Sequence, residues 1–172
     1  MSGVIIEKMD AARHNRENFD CGVEVLNVFL KQRANQEQKK RLNVTYVAVQ
    51  GQNISKPILG YYTLSNSSLS LYMVQEELKK QIPPTYTIPS VKIGRLAVDK
   101  STQNNGLGRL LLRHVFKKII DAASITGIRG VEVIAKNPEA TRYYEKLGFI
   151  RLKDSENLLF MPVETIINAL PE

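Results

Sequence analysis

The sequence predicts a single mixed α/β domain, and three observations carry the prediction. The chain has 172 residues, 43% of them hydrophobic, with no long apolar run, as expected of one globular core. An apolar strand over residues 91–98 runs into a turn with two glycines one residue apart, Gly106 and Gly108, where a long helix begins. That helix sets Leu107, Leu110, Leu111, Val115, Ile119 and Ala123 on one face and Arg109, Arg113 and Lys117 on the other. A second strand, helix and strand then follow over residues 131–152.

Taken in order, residues 4–9 read as a first strand. Asp20 is placed to cap a helix running to about Lys40, with Val23, Leu26, Phe29 and Leu30 along one face. Residues 44–49 form a second strand, 51–53 a turn, and 58–71 a third strand bent near Asn66. A short helix is expected over 74–80. Pro83, Pro84 and Pro89 then mark an irregular crossing, because proline interrupts both ladders and helices. Such a crossing fits a substrate wall or a plain surface connector. After the long helix, Gly127 and Gly130 bracket a stop before a buried strand at 131–135. Asn137-Pro138-Glu139 opens the next helix, with asparagine as cap, proline at the first helical position and a carboxylate in the first turn. Gly148 ends it, strands follow at 149–152 and 158–163, and a helix at 164–170 closes the chain.

Composition narrows the function. Residues 1–8 lack the charge-then-apolar pattern of a secretory signal, and no segment is apolar enough to span a membrane. Cys21 is the only cysteine, so no internal disulfide forms and a cytoplasmic location is expected. Two isolated histidines, His14 and His114, predict no metal site. Lysine and arginine outnumber the acidic residues 24 to 17, a formal charge of +7. The cations recur in runs at Arg13 and Arg16, Lys31 and Arg33, Lys39-Lys40-Arg41, and Lys79-Lys80. They fit an anionic partner or the solvated faces of helices.

The turn at 103–109 carries the chemistry. Backbone N–H groups at a helix start have no intrahelical acceptor, and the helix dipole adds positive potential there. Glycine lets a ligand approach the backbone closely. A Walker loop would need Lys and then Ser or Thr after the second glycine, where this chain has Arg109-Leu110. A dinucleotide fingerprint would need a small residue at Leu111. A Gln-x-x-Gly-x-Gly turn after a strand remains.

VKIGRLAVDKSTQNNGLGRLLL followed by EVIAKNPEATRYYEKLGF resembles the GNAT superfamily of acyl-CoA-dependent N-acetyltransferases. With FDCGVEVLNVFLKQRANQ, TYVAVQ and ILGYYTLSNSSL, nearly the whole chain resembles the GNAT-fold toxins of bacterial toxin–antitoxin pairs, the TacT/AtaT kind. The resemblance implies one acetyltransferase domain over residues 1–172. Its fold would be a central, mostly antiparallel twisted sheet with a parallel splayed pair, flanked by helices. It implies acetyl-CoA as cofactor and, as activity, acetylation of the α-amino group on charged tRNA, which blocks translation. It implies a ribbon-helix-helix antitoxin as partner, with DNA reached only through the toxin–antitoxin complex. A homodimer is compatible with the sequence and not required by it.

The resemblance assigns Asn104, Asn105, Gly106, Leu107, Gly108 and Arg109 to the cofactor diphosphate, with Gln103 in the leading Gln/Arg position. Asn104 and Asn105 stand where Gly and Gln are commoner, and asparagine tolerates turn conformations. Leu96, Ala97 and Val98 would pair with the pantetheine arm, and a backbone N–H there could polarise the thioester carbonyl. Tyr144 takes the general-acid position, supplying a proton to the departing thiolate, while Tyr143 takes the aromatic position that packs inward. Spacing alone allows either tyrosine to be core. Asn137 fits a pantetheine contact or simply a helix cap.

The acceptor end is open. An α-amino group titrates at about 7.7–8.0, so a sizeable fraction is neutral without a dedicated base. Glu132 could act as a base through water, or be a solvated or structural carboxylate. Arg95 could meet RNA phosphate in the acceptor groove, or sit where its strand face opens to solvent. Two other readings stand beside the toxin: a GNAT enzyme for a small amine or protein N-terminus, and an inactive acyl-CoA-binding module.

Overall fold

The computed structural model describes residues 3–51 and 56–169. In chain order it contains β1 (Val4–Lys8), β2 (His14–Asn15), α1 (Glu24–Val28), a π-helical turn (Phe29–Arg33), α2 (Ala34–Lys39), β3 (Val44–Gln50) and β4 (Lys56–Leu69). There follow α3 (Glu76–Lys79), β5 (Ile88–Val98), α4 (Leu107–Ala123), β6 (Gly130–Ile134), α5 (Pro138–Lys146), β7 (Ile150–Arg151), β8 (Leu158–Pro162) and α6 (Val163–Ala169). One eight-stranded sheet runs β1-β3-β4-β5-β6-β8-β7, with β2 beside β4. The pairs β1/β3, β3/β4, β6/β8 and β7/β8 are antiparallel, and β5/β6 is parallel. This is the mixed, mostly antiparallel arrangement expected. The turn expected at 51–53 and the end of the helix expected at 164–170 reach residues outside those described.

The chain divides into two compact units. The first comprises the chain up to Ser65 with Gly94–Val115. Its core joins Phe19, Leu26, Phe29, Leu30, Val47, Tyr61 and Ala97. Tyr61 lies edge-on to Phe19 and donates its hydroxyl to the Leu26 carbonyl at 2.8 Å, so its polar end is satisfied inside the core. On the other side of β4, Tyr62 stacks on Tyr46 and bonds Nδ1 of His114 at 2.7 Å, giving that histidine a structural role. His14 is buried and bonds Glu7 and the Asp10 amide.

The helix expected from Asp20 to Lys40 is corrected in two places. It begins at Glu24 with no side-chain cap, because Gly22 at φ +85° turns the chain and Asp20 Oδ1 bonds Gly22 N and Asn27 Nδ2 instead. It is also interrupted at Phe29–Arg33 by the π turn. The wider turn keeps Phe29, Leu30 and Ala34 together on the core side, all at most 1% exposed.

The second unit comprises Asn66–Ile93 and the chain from Phe116. Leu69, Val74, Ile88, Leu152 and Phe160 form a cluster under Leu71, Met73, Leu78 and Ile82. The helix expected over 74–80 contracts to α3. Strand β5 begins earlier than expected and includes Pro89, which is tolerated because the ladder to β6 starts one residue later, at Ser90↔Gly130.

Candidate active site

In the first unit, β5 delivers the chain to the two-glycine turn, and hydrogen bonds fix the approach. The Asp99 amide donates to the Leu59 carbonyl at 2.9 Å, and Thr102 Oγ1 donates to the same carbonyl at 3.1 Å. The Asp99 carboxylate accepts from Ser101 N at 2.9 Å, from Ser101 Oγ at 2.6 Å and from the Asp20 amide at 2.9 Å. Burial pulls its pKa upward, but these hydrogen bonds outweigh burial and hold the carboxyl below the usual aspartate range. Lys100 returns two bonds to Asp20, from its amide to the carbonyl at 2.8 Å and from Nζ to Oδ2 at 2.7 Å. Gln103 Nε2 donates to the carbonyls of Cys21 at 3.0 Å and Val98 at 2.9 Å. The segment around Asp20 thus braces the turn.

The turn has the conformation that the asparagine and glycine foretold. Asn104 sits at φ +62° and Gly106 at φ +80°, both in the left-handed region. Residues 103–106 and Arg109 are exposed, while Leu107 is buried as the first anchor of α4. The amides of Leu107, Gly108 and Arg109 begin the helix and have no acceptor within it. A Cβ placed on Gly108 would meet only Val98 Cγ2, at 3.8 Å, so packing within this unit does not demand glycine there.

Strand β5 interrupts its own alternation just upstream. A Cβ on Gly94 would meet Thr63 Oγ1 at 3.0 Å, and Thr63 shares a strand face with Tyr61. The next side chain, Arg95, turns to that same face, its guanidinium 3.6 Å above the Phe29 ring. Two consecutive residues toward one face mark a local break in the alternation of β5. The β5/β6 register ends at Ile93↔Val133, five residues before β5 ends. Arg95 Nη1 also lies 3.9 Å from Glu37 Oε2, and its side chain is 25% exposed.

In the second unit, α5 starts as its sequence directs. Asn137 Oδ1 accepts from Ala140 N at 2.7 Å, Pro138 occupies the first turn, and Thr141 Oγ1 bonds the Asn137 carbonyl at 3.2 Å. Tyr144 is 8% exposed and lies edge-on to Phe149, ring centroids 5.3 Å apart. Burial, and then the neighbouring Tyr143, push its phenol up to about 12. Tyr143 is 40% exposed, which corrects the expectation that it packs inward. The helical face shared by Thr141 and Tyr144 is the buried one, and Tyr143 lies about 100° away from it. Glu132 is buried on β6, opposite Lys92 and Phe160, and is not a solvated carboxylate.

Sequence reasoning missed Asp20, Asp99 and the Cys21 carbonyl as parts of the site. Asp99-x-Ser101 carried a local turn signal, because an aspartate readily bonds the backbone two residues on.

The first unit thus carries a two-glycine turn at the start of α4, and the second a buried phenol on a capped helix. Residues 41–151 match the acetyltransferase (GNAT) domain, and the chain belongs to that family. It is 27% identical over 169 residues to the probable toxin TacT of Sinorhizobium fredii, covering 94% of this chain and 92% of that protein. Among solved structures it is similar to a tyrosine-to-phenylalanine variant of KacT, with 38% identity and a TM-score of 0.91, covering 98% of this chain and 100% of the other. It is also similar to AtaT complexed with acetyl-methionyl-tRNAfMet, with 34% identity and a TM-score of 0.89, covering 96% and 98%. AtaT has further been solved in AtaTR with AcCoA, with the C-terminus of the antitoxin AtaR, and in an AtaT–AtaR complex with DNA. No helix among the described residues is long and apolar enough to cross a membrane.

Proposed function

We propose that this chain is a toxin that transfers the acetyl group of acetyl-CoA to the α-amino group of aminoacyl-tRNA. The likeness to AtaT with its acetylated tRNA, over nearly the full length of both chains, is the chief support. Residues 1–172 act as one acetyltransferase domain in the cytoplasm, where charged tRNA is found. A ribbon-helix-helix antitoxin restrains it, and DNA is engaged only through that complex.

In this reading the amides of residues 104–109 hold the cofactor diphosphate, aided by the dipole of α4 and by Arg109. Leu96, Ala97 and Val98 receive the pantetheine arm as an added strand, and one of their N–H groups polarises the thioester carbonyl. Gln103 holds the turn from behind. Asn137 caps α5 through its oxygen, leaving its amide hydrogens for the pantetheine. With acetyl-CoA bound, Tyr144 would give its proton to the departing sulfur as the neutral acceptor amine takes the acetyl carbon, and the proton shed by the amine nitrogen would return to the phenol through solvent. A phenol held near 12 remains protonated throughout the neutral range.

Incubation with labelled acetyl-CoA and either charged tRNA or a panel of amines tests the reading. Label is expected in the aminoacyl-tRNA fraction, and bacteria expressing the chain without antitoxin are expected to stop growing. Label confined to small amines or protein N-termini would overturn it.

A further inference from the structure

The first unit contains a second basic feature, separate from the cofactor turn. Residues 11–17 and Lys31 line an open groove of about 720 Å³. Its charged lining is Arg13, Arg16 and Lys31 against the single carboxylate Glu17, with Asn15 between them. The floor is built, not loose. Buried His14 accepts the Asp10 amide on Nδ1 at 2.8 Å and meets Glu7 through Nε2 at 2.9 Å. Glu7 also accepts from Lys56 Nζ at 2.9 Å and lies 3.6 Å from the Arg13 guanidinium. A solvated loop would not need that support. It fixes where the rim cations stand.

The groove is also tied to the cofactor turn. Asp20 lies four positions after Arg16, a reach of at most about 14 Å of extended chain. Asp20 is bonded in turn to Asp99 and Lys100. We propose that the Arg13–Arg16–Lys31 groove seats the phosphate backbone of the RNA substrate, an inference that rests on the aminoacyl-tRNA reading above. Arginine forks suit phosphate oxygens, and Asn15 adds an uncharged donor. Lined by cations and polar groups, the groove selects a polyanion and no particular base.

The test compares two variants that lose the same charge: Arg13→Gln/Arg16→Gln/Lys31→Gln, and Lys39→Gln/Lys40→Gln/Arg41→Gln, whose side chains are exposed outside the groove. Affinity for deacylated tRNA is measured by fluorescence anisotropy across a salt series, together with the KM for charged tRNA and the affinity for acetyl-CoA. The groove variant is expected to bind tRNA at least tenfold more weakly, with the salt slope reduced by about 2 to 3. The other variant is expected to stay within threefold of the wild type, and both to keep wild-type affinity for acetyl-CoA. The double variant Arg16→Gln/Lys31→Gln leaves the Arg13–Glu7 contact intact, and an intermediate loss there separates phosphate binding from misfolding. Equal loss in both triple variants, or none in the groove variant, overturns the groove. A wild-type chain that neither binds nor acetylates charged tRNA overturns the parent reading instead.

Discussion

Gln103 and Cys21 stand 82 positions apart in the chain, yet the amide of the one donates to the carbonyl of the other at 3.0 Å. The second amide hydrogen is directed to the Val98 carbonyl, so both donors of Gln103 are spent on holding the turn. The residue expected to lead the cofactor motif therefore holds the turn whose amides follow it.

Replacing Gln103 by Leu should raise the KM for acetyl-CoA about tenfold while changing kcat less than threefold. Two hydrogen bonds worth about 1 kcal/mol each are lost, and part of that loss falls on loop placement. Gln103→Glu should be worse, because an acceptor would face two carbonyl oxygens. Initial rates against acetyl-CoA concentration check both.

Gly108→Ala should separate stability from binding. The added methyl meets only Val98 Cγ2 at an ordinary 3.8 Å, and alanine favours a helix over glycine by up to about 1 kcal/mol. The melting temperature is expected to hold or rise. Calorimetric affinity for coenzyme A is expected to fall at least tenfold, because the methyl occupies the approach to the diphosphate.

Acid should loosen the first unit through Glu7. Hydrogen bonds from His14 and then Lys56 hold its carboxyl at about 2, below the ordinary 4.5. A depressed carboxylate contributes stability that is fully present above the unfolded value and is lost as pH falls toward the folded one. Glu7→Gln should therefore melt below the wild type at pH 7, and the gap should close between about pH 4.5 and 2. Melting curves along that series check it, and a gap that stays constant would show that the ion cluster does not act through ionisation.

The parts of the site that were legible in the sequence are those with local causes. Gly106 announces a left-handed turn, Asn137-Pro138 announces a helix start, and the apolar rows of β5 and α4 announce their buried faces. The brace from Asp20 and Cys21 was not legible, because bonds spanning about 80 residues leave no periodic signature. The π turn was hidden for a related reason: residues 24–39 contain neither glycine nor proline, and the core that Phe29, Leu30 and Ala34 enter is built from residues distant in the chain, Tyr61 and Ala97 among them. Two-residue β2 lies below the length at which alternation can be read. Tyr143 and Tyr144 were ambiguous because adjacent helical residues differ by 100°, and only the position of Phe149 decides which one is enclosed.

The proposed proton donor has a pH signature. With its phenol raised to about 12, Tyr144 should impose no falling limb on the rate below about pH 10. The only limb expected there rises with pH as the acceptor amine loses its proton near 7.7–8.0 or below, and then levels off. A stopped-time pH profile of acetyl transfer checks it, and a falling limb near pH 8 would point to a different acid.

The most direct measurement is the single-turnover rate of acetyl transfer to charged tRNA by Tyr144→Phe, with both substrates saturating and acetyl-CoA affinity measured alongside. The ring keeps its packing on Phe149, so affinity should remain within threefold of the wild type while the rate falls about 10²- to 10³-fold. An unchanged rate with intact cofactor binding would contradict the assignment of the phenol as the acid.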